Sequence, residues 1–266
     1  MNPRAAIVTG GGSGLGRVMA QEFVANGTYC LISGRRIKSL EETASLIPEK
    51  DRSRLALVPG DVTVEVDRGR MVRECMANFG RVDILVNNAG ISFLGPLLNH
   101  EEKDWREVMS TNLDSLFFMA KAAIPHMRDQ NWGRIINIAS VYSTLAMNSD
   151  YYGGLLPTIN KDGLGPTRQP AYHASKGGVL NLTRDLAVAV AHWGITVNAV
   201  SPGMFLTEQS DGIVNEQAKK ALQQMTPIGR FGDPREVAHA VRFLASEQSS
   251  FITGIDLVVD GGWSLW

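Results

Sequence analysis

The chain has 266 residues, 44% of them hydrophobic and 20% charged, a globular composition that excludes disorder and a coiled coil and allows a sizeable core. Its 26 Lys and Arg against 27 Asp and Glu leave a formal charge of −1, too balanced to point to nucleic acid or an anionic membrane surface. The cysteines, Cys30 and Cys75, make neither a disulfide framework nor a metal-like pair, so both are expected as buried apolar residues in a reducing, cytoplasmic setting.

Met1 to Arg4 runs straight into Ala5-Ala6-Ile7-Val8, without the charged and apolar regions of a secretory signal. Apolar stretches such as Leu186 to Trp193 fall well short of the roughly 20 residues of a membrane helix. Short β-branched runs alternate with stretches of helical period, and seven strands are predicted: Ala5–Val8, Tyr29–Ser33, Leu55–Pro59, Ile84–Val86, Arg134–Ile138, Thr196–Val200 and Ile255–Val259. Their near-continuous apolar character predicts a parallel sheet covered by helices on both faces, a doubly wound, Rossmann-like α/β fold. No linker or repeat divides the chain, so residues 1–266 are expected to form a single domain.

Between the first strand and the first helix lies Thr9-Gly10-Gly11-Gly12-Ser13-Gly14-Leu15-Gly16. This is where a doubly wound sheet binds a dinucleotide, because glycines let the backbone approach a pyrophosphate and a helix N-terminus offers unpaired N–H groups. Gly10, Gly12, Ser13, Gly14, Leu15 and Gly16 are the candidate contacts, and a tight turn without a ligand is the plainer reading. The spacing is GxxxGxG through Gly10, Gly14 and Gly16, which differs from the generic GxGxxG. In the helix that follows, Leu15, Val18, Met19 and Phe23 are predicted to form the apolar stripe.

The second strand ends in Ser33-Gly34-Arg35-Arg36, with no acidic residue to hold the ribose hydroxyl of NAD. The guanidinium groups of Arg35 and Arg36 suit a 2′-phosphate, so NADP is favoured over NAD; the alternative makes both arginines solvated charges at a helix start. Further along, two irregular segments stand out: an insertion at about 145–169 and a loop at about 203–225 expected to contact substrate. After the first of them, Tyr172-His173-Ala174-Ser175-Lys176 places a phenol and an ammonium on one helical face. A nearby cation is expected to pull the phenol below its usual pKa of about 10, giving a tunable acid/base.

TGGGSGLG at residues 9–16, Asn87-Asn88-Ala89-Gly90, Asn112, Ser140, Tyr172 with Lys176, and Ser201-Pro202-Gly203 occur in that order. Together they resemble the single-domain short-chain dehydrogenase/reductase family over nearly the whole chain. The resemblance implies an NAD(P)-dependent oxidoreductase acting on CH–OH groups, in which Tyr172 exchanges a proton with the substrate oxygen and Ser140 hydrogen-bonds that oxygen. It further implies that Lys176 holds the nicotinamide ribose and depresses the Tyr172 pKa, while Asn112 positions a water leading from Lys176 to solvent. Asp61 would contact the adenine with Val62 flanking it, Asn88, Ala89 and Gly90 would line the adenosine ribose, and Pro202, Gly203 and Thr207 would border the nicotinamide. For several of these a structural role competes: Asp61 as a helix cap, Asn88-Ala89-Gly90 as turn residues, Thr207 as a surface hydroxyl. The five histidines show no metal-ligand spacing, and no metal is expected.

Ser140 and Tyr172 stand 32 residues apart, a longer connection than most relatives have, and the extra chain returns beside the reacting carbon. It is expected to wall the substrate, with Tyr151, Tyr152 or Arg168 as contacts, or else to be a surface elaboration or subunit contact. Its polarity favours a small sugar, sugar acid or polyol as substrate, with a 3-oxoacyl thioester as the alternative. C=C reduction is disfavoured, because enoyl reductases of the superfamily space their Tyr and Lys more widely. A non-catalytic dinucleotide sensor is the rival of another class, against which the set Asn112, Ser140, Tyr172 and Lys176 speaks. Trp263 and Trp266 near the chain end are expected to find a partner surface, with packing on their own subunit as the alternative, and the resemblance implies a homotetramer.

Overall fold

The computed structural model describes residues 3–148, 163–206 and 215–265. In chain order its first elements are β1 (Ala5–Thr9), α1 (Gly14–Ala25), β2 (Tyr29–Gly34), α2 (Ile37–Ser45), β3 (Leu55–Pro59), α3 (Glu65–Phe79), β4 (Ile84–Asn87) and the short β5 (Gly95–Pro96). Then follow α4 (Glu102–Met109), α5 (Ser115–Asp129), β6 (Gly133–Ile138), the short β7 (Thr167–Arg168), α6 (Pro170–Val190), β8 (Ile195–Pro202), α7 (Glu216–Met225), α8 (Pro234–Leu244) and β9 (Asp256–Val259). The seven predicted strands are all present, each within two residues of its expected bounds. The ribbon of β5 and β7 has too few residues to carry a periodic signal.

The layers follow from the two-residue period of the strands. Ile7, Leu31, Leu85, Ile135 and Val197 face one way, onto Met71 and Cys75 of α3, Met119 and Met127 of α5, and Leu186 and Val190 of α6. Val8, Ile32, Val86, Ile136 and Val200 face the other way, onto Met19 and Phe23 of α1, Leu40 of α2, and Val237 and Val241 of α8. Each fully buried side chain of this size contributes about 2 kcal/mol of transfer free energy. Both cysteines are buried, and burial pushes the Cys75 thiol up to about 12, leaving it an inert apolar group.

On α1 the stripe is turned slightly from expectation. Met19, Ala20, Phe23 and Val24 are buried, whereas Leu15 and Val18 sit at the rim. Leu15 is only half-buried because it borders a cavity as well as the core. Trp263 also departs from expectation: it is buried within its own chain against Val141 and Leu222, so its apolar surface needs no partner, and Trp266 lies outside the described residues.

The sheet is parallel throughout, in the order β3-β2-β1-β4-β6-β8-β9. The chain therefore winds outward from β1 to β3, crosses back to β4 beside β1, and winds the other way to β9. That reversal opens a crevice beyond the C-terminal ends of β1 and β4, the general ligand position of an open α/β sheet.

Candidate active site

A cavity of about 420 Å³ occupies that crevice. One wall is the turn from β1 into α1, where Gly10, Ser13, Gly14 and Leu15 border the space. Ser13 is the N-cap of α1 but its side chain makes no capping bond, which leaves first-turn N–H groups without a side-chain acceptor. The turn is clamped from behind: Arg17 donates to the Gly12 carbonyl at 2.7 Å, and Thr43 donates to the Gly11 carbonyl at 3.0 Å. With carbonyls engaged on the protein side and helix-start amides open, the turn fits the phosphates of a dinucleotide. Neither Arg17 nor Thr43 carries a signal in the sequence, since each acts through a contact that only the fold creates.

Gly16 does not border the cavity. A Cβ on it would lie 2.2 Å from the Gly10 carbonyl oxygen and 2.5 Å from Asn88 Nδ2, so its role is close packing of helix on turn. Gly12 likewise packs on Ser39 of α2. The opposite lip is joined to the turn by Thr9, whose hydroxyl accepts from the Asn88 and Ala89 N–H groups at 3.0 and 3.1 Å. Asn88 Nδ2 in turn donates to the Thr9 carbonyl at 2.9 Å. Asn88 and Ala89 thus do structural work while lining the cavity together with Gly90.

At the other end, Ser140, Tyr172 and Lys176 converge on the cavity with Pro202 and Gly203. Ser140 follows β6 and is fixed at both ends: its hydroxyl accepts from the Tyr142 N–H at 3.2 Å and its own N–H donates to Ser143 Oγ at 3.2 Å. Tyr172 and Lys176 ride on α6, which a buried polar chain ties to the sheet: Asn87 Nδ2 donates to Asn137 Oδ1 at 2.9 Å, and Asn137 Nδ2 to Thr183 Oγ1 at 2.9 Å. Asn112 lies in a π-helical turn, Ser110–Asp114, between α4 and α5. Its amide holds the backbone of Ile91 at both N–H and carbonyl, 2.8 Å each, and donates to Ser175 Oγ at 3.2 Å.

The electrostatics differ from the sequence expectation. Burial raises the Tyr172 pKa above that of an ordinary phenol, with its hydrogen bond to Ser140 pulling the other way. Lys176 is 4% exposed, and burial brings its pKa down to about 8. Its ammonium donates to the Ile138 carbonyl at 2.6 Å and sits 5.7 Å from the centre of the Tyr172 ring. The cation was expected to set the phenol; instead desolvation disfavours both charged forms. At neutral pH the pair is a neutral phenol beside a retained but easily released ammonium proton, and such a phenol can donate to an alkoxide or return its proton through its neighbours.

Other candidates are placed differently. Arg35 and Arg36 are exposed on the turn between β2 and α2, beside Gly34 and outside the cavity lining. Asp61 accepts from the Thr63 N–H and hydroxyl at 2.8 and 2.7 Å in a turn ahead of α3, and Val62 is buried in the core. Thr207 lies outside the described residues, as do Tyr151 and Tyr152, most of the insertion and residues 207–214 of the loop. Among the described residues no cluster could hold a metal ion, and no helix is long and apolar enough to cross a membrane. Ile91, Ser92, Tyr142, Gln169, Met204 and Phe205 also border the cavity, on loops whose convergence no local pattern announces.

A family model described as short chain dehydrogenase matches residues 4–152, and one described as enoyl-(acyl carrier protein) reductase matches residues 158–264. The chain is 33% identical over 262 residues to the 3-oxoacyl-acyl-carrier-protein reductase FabG of Haemophilus influenzae, covering 98% of each. It is 36% identical over 262 residues to the 2-dehydro-3-deoxy-D-gluconate 5-dehydrogenase of Escherichia coli strain K12, covering 98% of this chain and 95% of that one. Among solved structures, the Pseudomonas aeruginosa RhlG/NADP active-site complex superposes with a TM-score of 0.84 at 29% identity, covering 98% of this chain and 96% of that one.

Proposed function

The chain belongs to the short-chain dehydrogenase/reductase family, and from that premise we propose that it interconverts a secondary alcohol and a ketone on a small polar sugar, sugar acid or polyol, with NADP favoured over NAD. The observation that carries the reading is the convergence of Tyr172, Ser140 and Lys176 on one cavity whose other wall is a glycine turn with open helix-start amides. A bound nicotinamide dinucleotide supplies the carbon that exchanges hydride. On reduction Tyr172 gives its proton to the substrate oxygen and is reloaded from Lys176; on oxidation it takes the hydroxyl proton as it passes its own to a Lys176 that has released its proton to solvent, and Ser140 hydrogen-bonds the same oxygen. Lys176, fixed by the Ile138 carbonyl, stands behind the phenol to reload it. Asn112 holds the Ile91 backbone on the facing lip.

Ser92 and Gln169 in the lining favour a hydroxylated substrate, as does the likeness to a sugar-acid dehydrogenase of Escherichia coli. Met204 and Phe205 in the same cavity, with the likeness to a 3-oxoacyl reductase, favour the second reading, an acyl thioester. The four-residue spacing of Tyr172 and Lys176 supports action on CH–OH over C=C. For the cofactor, Arg35 and Arg36 are exposed beside Gly34, where a guanidinium can meet a 2′-phosphate. Exposed Phe117 and Phe118 on α5 and Phe251 near the last strand support a homo-oligomer, a tetramer by family likeness.

Purified protein assayed against sugar acids, polyols and an acetoacetyl thioester, each with NADP and NAD, tests the reading through cofactor absorbance. Turnover of a sugar acid or polyol with kcat/KM about tenfold higher for NADP is expected, one charge-assisted contact being worth that factor. Turnover of the thioester alone selects the second reading, and a clear NAD preference overturns the cofactor assignment.

A further inference from the structure

The five histidines have no part in the proton relay, yet one of them joins the two loops that frame the substrate end. β5 and β7 pair antiparallel, Gly95 with Arg168 and Pro96 with Thr167. The pairing continues past the strands, where the Leu97 N–H donates to the Pro166 carbonyl and the Leu98 N–H to the Leu164 carbonyl, both at 2.9 Å. This ribbon ties the end of the long Ser140–Tyr172 connection to the loop that follows β4. His100 Nε2 lies 3.3 Å from the Gly95 carbonyl oxygen and 3.0 Å from the Arg168 carbonyl oxygen, one on each strand. Both partners are acceptors, so Nε2 carries the proton and its N–H is shared across the ribbon. The imidazole is steadied by an edge-on contact with Phe93, ring centres 4.9 Å apart.

What the ribbon positions is set by the chain. Ser92 lies three residues before Gly95, and Gln169 directly follows Arg168; both border the cavity. Gln169 is also the N-cap of α6, three residues before Tyr172. We propose that His100 is a positioning residue for substrate recognition: by stapling β5 to β7 it fixes Ser92 and Gln169 on the substrate side of the cavity, making the ribbon the wall that selects hydroxylated substrates. Ser92 is exposed and Gln169 half-buried at the cavity's edge; a substrate seated there covers them, and polar groups held at fixed separation then reject ligands that leave them unpaired. The inference rests on the polar-substrate reading above.

The experiment compares His100→Phe, which keeps a ring against Phe93 and removes the donor, with His100→Gln, which keeps a donor. In the full-length protein, His100→Phe is expected to raise KM for the preferred CH–OH substrate about tenfold, the factor of one lost hydrogen bond, with kcat and the NADP dissociation constant nearly unchanged. His100→Gln recovers most of the loss, and the Leu97 and Leu98 amides exchange faster in His100→Phe alone. An unchanged KM, or kcat and NADP affinity falling together with KM, overturns the proposal. Should His100→Phe fail to fold, nitrogen NMR of the wild-type imidazole decides: a proton on Nε2 upholds the staple, and one on Nδ1 alone overturns it. The substrate reading fails separately, in the wild-type panel, and the ratio of variant to wild-type KM is taken on whichever substrate the wild type turns over.

Discussion

At the dinucleotide end of the cavity, the walls are the C-terminal ends of β1 and β4 and the turn between β1 and α1, joined by Thr9, Asn88 and Gly16 through contacts within adjoining elements. At the substrate end, the walls are loops from distant parts of the chain, joined by a short ribbon that continues through the Leu97 and Leu98 amides and by one shared imidazole N–H. The first is secured by sheet pairing and close packing, the second by a few polar contacts that substitution can remove singly. In a fold of this kind the invariant chemistry sits on the rigid part, and the selective part hangs on loops. Four substitutions press on that contrast.

The largest effect is expected from Tyr172→Phe, which removes the proton-exchanging hydroxyl and leaves the ring in its cluster with Tyr142 and Met147. Turnover should fall about a thousandfold, within the range for loss of a general acid/base, while NADP binding measured by fluorescence titration stays within a few-fold. Loss of cofactor binding together with turnover would show that the two ends are not separable. Retained biological output in the variant would instead favour a dinucleotide sensor.

The contrast also governs what the amino-acid order discloses. The seven strands were legible because each is a short, largely apolar run, buried on both faces in the five inner strands and partly exposed in the edge strands β3 and β9, and the glycine turn because its position between strand and helix carries its chemistry. Tyr172 and Lys176 were legible as a helical pair and Ser140 through resemblance, but the sign of the phenol's pKa displacement was not, since burial is a property of the assembled fold. Arg17 and Thr43 behind the turn, and His100 between the ribbon strands, escaped for the same reason: partners 5 to 68 residues away define them. Trp263 was misjudged because its own chain, through Val141 and Leu222, offers the apolar surface it needs.

A pair of glycine substitutions sharpens the comparison at intermediate scale. Gly16→Ala places a methyl 2.2 Å from the Gly10 carbonyl oxygen, in backbone that cannot yield without moving the turn. It should cost about 3 kcal/mol in denaturant unfolding and weaken NADP binding. Gly163→Ala, at the substrate end, strains a backbone angle of φ +72° with nothing within 4 Å of the new methyl, and should cost about 1 kcal/mol with NADP affinity unchanged. Equal costs at the two positions would break the claim that the dinucleotide end is the more tightly built.

The smallest expected effect is read at the junction of the two ends, on Lys176. Burial brings its pKa from 10.5 to about 8, so the unfolded chain holds the proton more tightly than the native one. The sign follows: below pH 8 the native protein buries a charge at a cost, and between pH 8 and 10.5 the unfolded state binds more protons, so this residue's contribution to stability rises with pH. The full displacement corresponds to at most about 3 kcal/mol, and relaxation around the ammonium makes about 1–2 kcal/mol the realistic figure. Unfolding free energies of the wild type and Lys176→Met across that window isolate it, because other titrating groups cancel in the difference, which should move in favour of the wild type as pH rises. A flat difference would mean that the ammonium reaches water, and the phenol in front of it would then have to be reloaded from solvent rather than from a desolvated neighbour.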